Sequence, residues 1–283
     1  MTRRGRRPPR ARYGRRMKPF LLITTRGEDD VAAHEHAAYC RLTGLLPDEL
    51  EWIRADRAPI GTIEFARYSG IILAGSPFTV SEPEDRKSAT ERRVERELAA
   101  LLDDVVRRDF PFLGVCYGVG TIGSHQGARV DRTYGEPSQA VRISLTPAGR
   151  TDALLHELPP SFDAFVGHKE AISEVPPSIT VLASSPTCPV QAFRVGENVY
   201  ATQFHPELDT AAFTSRVRSY AGHGYFEPSQ VDTIIATAEA ADVRASHMVL
   251  GRFVEEYLDS RRGHRGATPP EPPARAPTYS KSA

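Results

Sequence analysis

Short apolar runs alternate along the chain with longer segments in which apolar residues recur every three or four positions, the signature of strands interleaved with amphipathic helices. Phe20–Thr24, Leu50–Arg54, Gly70–Leu73 and Pro111–Val115 read as strands, and the last two are continuous apolar runs suited to the buried centre of a parallel sheet. Over Glu91–Arg108 the spacing predicts a helix. Val94, Leu98, Leu101, Leu102 and Val105 fall on one stripe of an otherwise charged cylinder, which packs that stripe on the sheet. Beyond Gly127 come the shorter runs Ala140–Leu145, Phe162–Val166, Ile179–Ala183, Val190–Phe193 and Val199–Gln203, pointing to a second, partly antiparallel portion. Three segments with apolar faces, Ala211–Tyr220, Pro228–Ala240 and Asp242–Tyr257, give a helical end. No internal repeat is visible. The pattern predicts an α/β fold: a central, largely parallel sheet flanked by helices, with a smaller, partly antiparallel sheet.

Composition sets the limits of the folded body. Residues 1–16 hold eight arginines, two prolines and no acid, which cannot bury enough apolar surface to offset chain entropy, so a disordered basic arm is expected there. Met17 directly precedes the first strand and is a candidate translation start. Residues 259–283 carry five prolines among Gly, Ser and Arg and read as a disordered, solvated tail, which leaves residues 17–258 as one domain.

Charge and cysteine count then exclude several classes of function. Lys plus Arg and Asp plus Glu are balanced at 36 each, so no overall field draws the chain to nucleic acid or to an anionic membrane, and neither is expected as a partner. No apolar run approaches the roughly 20 residues that span a bilayer, and the basic start lacks the apolar segment of a secretory signal; a cytoplasmic location is the expectation. Cys40, Cys116 and Cys188 are an odd number with no CxxC spacing, against both a disulfide framework and a zinc knuckle.

One of the three cysteines stands apart by its setting. Pro111-Phe112-Leu113-Gly114-Val115-Cys116-Tyr117-Gly118 runs a buried strand straight into Gly-x-Cys-x-Gly. Small residues two before and two after the nucleophile permit a tight strand-to-helix turn, the elbow known from hydrolases with serine at that place. Such a turn lifts the sulfur clear of the sheet and puts it at a helix N-terminus, where the dipole and NH groups favour a thiolate. The alternative is a small buried hydrophobe, a common fate of free cysteine.

A thiolate nucleophile needs a base, and Val199-Tyr200-Ala201-Thr202-Gln203-Phe204-His205-Pro206-Glu207 offers His205 at the end of an apolar strand. Glu207 lies two residues on, on the same face of an extended chain, with Pro206 limiting the backbone between them; it can hold the imidazole in one tautomer. Taken singly, His205 reads equally as a hydrogen-bonded strand-end histidine and Glu207 as a solvated charge. A third strand-to-turn segment, Ile71-Ile72-Leu73-Ala74-Gly75-Ser76-Pro77, can aim a main-chain NH at the oxyanion of a tetrahedral intermediate, beside the NH of Tyr117. Pro77 has no NH, so Ser76 is the donor expected from this turn, next to Gly75.

These segments, in this order, resemble the class I glutamine amidotransferases, and most closely the glutaminase part of GMP synthase and its stand-alone relatives. The resemblance covers most of residues 19–257 and also takes in Gly167-His168-Lys169-Glu170 and Val181-Leu182-Ala183-Ser184-Ser185. It implies the family's flavodoxin-like fold and a Cys116–His205–Glu207 triad that forms a γ-glutamyl thioester. It also implies glutamine or another γ-glutamyl amide as substrate, no cofactor, and a separate synthase subunit that accepts the ammonia. Main chain around Gly167 and His168 would help to bind the amino-acid end of the substrate, with His168 equally readable as a structural histidine. Two positions depart from the family pattern. Where the family reads Cys-x-Gly-His-Gln and its glutamine contacts substrate, this chain has Val119 and Gly120. Gln126 is no replacement, because six residues along a helix turn the side chain by about 240 degrees. Ser76 stands where a second glycine is common.

The chain carries no Gly-x-x-x-x-Gly-Lys-Ser/Thr phosphate loop and no Ser-Gly-Gly-x-Asp-Ser loop, so ATP activation is expected from a partner. A free-standing γ-glutamyl hydrolase with the same triad and a catalytically impaired binding protein of the same fold are the competing functions. No metal site is predicted: His34 and His36 are two apart on a helix and do not share a face. Cys40 and Cys188 lack glycine elbows and are expected to pack in the body, and the stretch Glu82–Arg93, rich in both signs, reads as a solvated loop and helix start.

Overall fold

The computed structural model describes residues 18–219 and 228–258; the arm, Met17 and the tail lie outside the described residues. In chain order the parallel half contains β1 (Phe20–Thr24), α1 (Asp29–Thr43), β2 (Leu50–Arg54), β3 (Gly70–Leu73), α2 (Ala89–Arg108), β4 (Phe112–Val115) and α3 (Tyr117–His125). There follow β5 (Arg129–Asp131), β6 (Glu136–Leu145), β7 (Ser161–His168), β8 (Ala171–Glu174), β9 (Ile179–Ser184), β10 (Ala192–Val195) and β11 (Val199–Thr202), then α4 (Thr210–Ser219), α5 (Val231–Ala240) and α6 (Arg244–Leu258).

Nine strands form one sheet in the order β2-β1-β3-β4-β11-β10-β9-β6-β7. The first five of that order are mutually parallel and the remaining pairings are antiparallel. Thus the strands expected as a second portion extend the central sheet. The small sheet pairs β5 with β8, neither of which stands out by apolar pattern. The run expected at Val190–Phe193 pairs later, over Ala192–Val195, with a bulge between Ala192 and Phe193.

Strands β1, β3, β4 and β11 are buried along their whole length, because both faces of the parallel half are covered. On one face α1 and α6 close a core containing Phe20, Tyr39, Leu113, Phe204 and Phe253; on the other, the stripe of α2 lies on Leu21, Ile71 and Phe112. Helix α2 opens on Ser88, whose side chain accepts from the Glu91 NH, a cap of the expected kind. The charged stretch before it is less solvated than its composition suggests. Glu91 is buried and accepts from the Thr79 NH at 3.1 Å, and Lys87 is buried between Glu84 and Glu95 at 2.9 and 2.8 Å. Charges are admitted to these positions because each has a partner.

A parallel sheet presents its functional groups at the carboxyl ends of the strands. Here β3, β4 and β11 are neighbours, with Leu73 opposite Gly114 and Thr202 opposite Val115. The three segments singled out by sequence therefore leave the sheet side by side, although the chain separates Ser76 from His205 by more than a hundred residues.

Candidate active site

The turn from β4 into α3 is made by Cys116 itself, at φ 52° and ψ −84°. A non-glycine residue in that region stores of order 1–3 kcal/mol and is held there by its surroundings. Its NH is tied to the Thr202 carbonyl at 2.7 Å, and the Val119 NH bends back to the Cys116 carbonyl at 2.9 Å. The glycines either side differ in what they permit. A Cβ on Gly114 would fall 2.8 Å from the Gly118 Cα and 3.0 Å from Ile122, whereas one on Gly118 would meet only Leu73, at 4.0 Å. Gly114→Ala is expected to force strand and helix apart at a cost of about 1–3 kcal/mol, while Gly118→Ala is tolerated. Thermal denaturation checks this: about 2–4 °C is lost per kcal/mol in a domain of this size, and equal midpoints for the two variants would contradict it.

Beyond β11 the chain continues through Gln203 and Phe204 to His205, whose NH donates to the Phe165 carbonyl at 2.8 Å. The imidazole Nδ1 faces the Glu207 Oε1 at 2.7 Å, and both side chains are buried. Burial works against the charged ring, but the Glu207 carboxylate and, after it, the nearby Cys116 sulfur outweigh it and raise the pKa to about 9. Burial likewise works against the Glu207 carboxylate; the His205 ring first and Arg216 after it hold its pKa down to about 2. An ionised carboxylate only accepts, so Nδ1 carries a proton and Nε2 is the atom left for Cys116.

The turn after β3 packs directly on this pair. A Cβ on Gly75 would lie 2.9 Å from the His205 Cε1, 3.4 Å from the Arg26 Nη2 and 3.6 Å from the Cys116 Cβ, so no side chain fits there. Ser76 is fixed through its hydroxyl, which accepts from Thr25 Oγ1 at 2.7 Å and from the Phe78 NH at 3.0 Å. Tyr117 opens α3, and its side chain is buried.

Beside these groups lies a cleft lined by Ser76, Cys116, Ser138, Gly167, Phe213 and Arg216, together with Arg26, His205 and apolar neighbours. Cys116 Sγ lies 4.0 Å from the Gly167 carbonyl, so the main chain of β7 forms one wall. The His168 ring points elsewhere. It is buried, with Nδ1 2.9 Å from the Glu170 carbonyl and Nε2 2.8 Å from Glu136 Oε2, and it does not line the cleft.

Gly120, in the place of the family's glutamine, is filled from outside. A Cβ there would stand 2.8 Å from Glu170 Oε1 and 3.2 Å from Val80. Glu170 spans the gap to bond the Val80 and Ser81 NH groups at 2.9 and 2.7 Å. Glu170, Arg26 and Arg216 have no motif of their own. The signal for Arg26 was its place just past the carboxyl end of β1, and for Glu170 its place within the segment that contains Gly167.

Among the described residues, Glu136, His168 and Cys188 could offer a metal three donor atoms within 4.8 Å of one another. They are engaged already. Glu136 receives hydrogen bonds from Thr187 and from Gln191 Nε2 as well as facing His168, and the Cys188 thiol, pushed up to about 12 by burial, donates to the Val190 carbonyl. The set reads as a polar knot tying β6 and β7 to the β9–β10 turn. Elsewhere His36 stacks on Trp52 at 4.7 Å, His34 is exposed, and Cys40 is half-buried near His36. No helix among the described residues is long and apolar enough to cross a membrane.

A family model described as glutamine amidotransferase class-I matches residues 47–218, more than half of the chain. A GMP synthase (glutamine-hydrolysing) of Cytophaga hutchinsonii is 33% identical over 144 residues, covering 49% of this chain and 25% of that protein. The chain thus spans about a quarter of the length of such relatives. One subunit of the GMP synthase (glutamine-hydrolysing) of Methanobrevibacter smithii is 26% identical over 192 residues, covering 67% of this chain and 86% of that one. Among solved structures, a glutamine amidotransferase from Thermotoga maritima superposes with a TM-score of 0.68 at 18% identity, over 87% of this chain and 100% of that chain. At that identity the likeness speaks to the fold.

Proposed function

This chain belongs to the glutamine amidotransferase class-I family, and we propose that it hydrolyses the side-chain amide of glutamine through a thioester on Cys116, delivering ammonia to a separate synthase subunit. The observation that carries this is the buried His205, hydrogen-bonded to Glu207 at 2.7 Å and lining the same cleft as Cys116.

Each step has a residue. His205 takes the thiol proton, and the sulfur attacks the amide carbon, moving its π electrons onto oxygen. The main-chain NH groups of Ser76 and Tyr117 are assigned to that oxyanion, and Gly75 is the residue whose missing Cβ lets this turn approach His205 and Cys116. Collapse of the intermediate breaks the C–N bond, the nitrogen leaving as ammonia with the proton from His205. Water, deprotonated by the same ring, then attacks the thioester; glutamate departs and the proton returns to sulfur. Glu207 fixes the ring and its tautomer throughout.

A separate synthase as partner is supported by the Methanobrevibacter smithii relative, itself one subunit of such an enzyme, of which this chain covers 86%. Ammonia released from glutamine by the full chain, measured with and without a synthase partner, tests both parts. A rise of about 5- to 100-fold in its presence is the size expected of coupling between two sites. No ammonia from glutamine, with hydrolysis of γ-glutamyl peptides instead, would replace this reading by that of a free-standing γ-glutamyl hydrolase. The closure of position 120 by Glu170 is the feature that favours this second reading.

A further inference from the structure

We propose that Arg216 on α4, supported by Arg26 after β1, is the anchor for the carboxylate of the substrate, so that the cleft selects amides bearing a carboxylate at the far end. The proposal rests on the amidase reading above and names the group by which that site would choose its substrate.

Three observations converge on it. Position 120 of α3 is closed: Glu170 occupies the space a side chain would need, so no residue there reaches a ligand. Among the described residues, the charged side chains that line the cleft besides His205 are both guanidiniums, Arg26 and Arg216, and none is an aspartate or glutamate. A carboxylate ligand is therefore matched in charge by the described lining. The third concerns geometry. Arg216 stands 3.5 Å from Glu35 and 3.7 Å from Glu207, ion-pair distances longer than the 2.7–3.2 Å of a formed N–H···O bond. By contrast, Arg26 Nε holds Glu35 at 3.0 Å, with both side chains almost wholly buried. Glu207 is engaged with His205 at 2.7 Å, so Arg216 reaches both of its carboxylate neighbours only at the longer ion-pair distances. A carboxylate entering the cleft offers the Arg216 guanidinium shorter, charge-assisted hydrogen bonds than these long pairs, the contact that arginine makes best.

Arg216 is the residue to test, because its side chain is partly exposed whereas loss of Arg26 would strand the buried Glu35. A glutamine-shaped chloroketone with a free carboxylate and the methyl ester of the same compound are each reacted with the full chain. Labelling of Cys116 is followed by intact mass. Wild type is expected to react faster with the acid than with the ester, and Arg216→Gln to lower that acid-to-ester ratio by about 10- to 100-fold, the size of a charge-assisted hydrogen-bonded pair. Arg216→Lys should restore part of the ratio, keeping the charge and losing the fork. If Arg216 only steadies Glu207, both reagents slow together and the ratio stays at the wild-type value, which overturns the anchor. Labelling by neither reagent in wild type sinks the amidase reading itself. As a second measurement, calorimetry on Cys116→Ala follows glutaramate, which has the carboxylate and amide of glutamine without its α-amino group. Binding is expected, with at least tenfold loss in the Cys116→Ala, Arg216→Gln double variant; equal affinity in both overturns the proposal independently of turnover.

Discussion

Cys116→Ala is expected to lower release of ammonia from glutamine by about 10⁴-fold or more, the scale on which removal of a nucleophile acts when nucleophile and base work as a unit. The fold should hardly notice. Cys116 is half-buried, its NH bond to Thr202 is a main-chain one, and the strained φ of 52° is borne by alanine as it is by cysteine. Loss of activity with an unchanged thermal midpoint therefore isolates the chemistry. A glycine at 116 makes the complementary variant, inactive but relieved of the positive-φ strain and so somewhat more stable. Ammonia assayed against time, together with intact mass after reaction with a glutamine-like electrophile, checks the expectation. An adduct that persists in Cys116→Ala, or activity within about tenfold of wild type, would show that the sulfur at the elbow is not the reacting atom.

The parts of this site that could be read in the sequence are those with local signatures. Pro111–Gly118, ending in Gly-x-Cys-x-Gly, is a strand, a turn and a helix start in eight residues, and the structure bends the chain at Cys116. His205 and Glu207 do meet, as expected, but across a turn at Pro206–Glu207 closed by the Leu208 NH on the His205 carbonyl at 3.3 Å, and not along extended chain. What the sequence hid arises from contacts between distant segments. Glu170 and Gly120 fit together through a contact across fifty residues, and no pattern in either segment announces it. Arg216 reads as one more charge on the amphipathic α4; only the packing of that helix brings it to the cleft that Cys116 also lines. The fold divides in the same way. Continuous apolar runs marked β1, β3, β4 and β11. Strands β5 and β8 are short, lie in a two-stranded sheet and carry polar residues at their ends, so neither run length nor alternation marks them. Pairing partners were likewise invisible, which is why β6, β7, β9 and β10 read as a separate portion and not as the antiparallel half of one sheet.

Glu207→Gln is expected to lower activity by about 10²- to 10⁴-fold, the range set by losing the group that orients a catalytic imidazole, and to move the alkaline limb of the pH–rate profile downward. In the wild type, His205 is raised from 6.5 to about 9 although burial pulls the other way, so its charged form is sustained by Glu207 and Cys116. The sign for stability follows. The raised His205 contributes stability that is complete below its unfolded value of about 6.5 and is lost as pH rises through about 9. The lowered Glu207 contributes stability present above 4.5 and lost as pH falls through about 2. A neutral amide at 207 removes the anion, leaves burial to act against the imidazolium, and exposes the ring to Arg216, which Glu207 had faced at 3.7 Å. Each of these three changes lowers the pKa of His205. Because the imidazolium must hand its proton to the leaving nitrogen, the fall in kcat/KM on the alkaline side begins at lower pH in the variant. Stability relative to wild type is reduced most between pH 4.5 and 6.5, where both members of the pair are charged. Rates and chemical denaturation of the two proteins between pH 5 and 10 make the comparison. An alkaline limb that stays in place would mean that the charge of Glu207 does not reach the reacting atoms through His205.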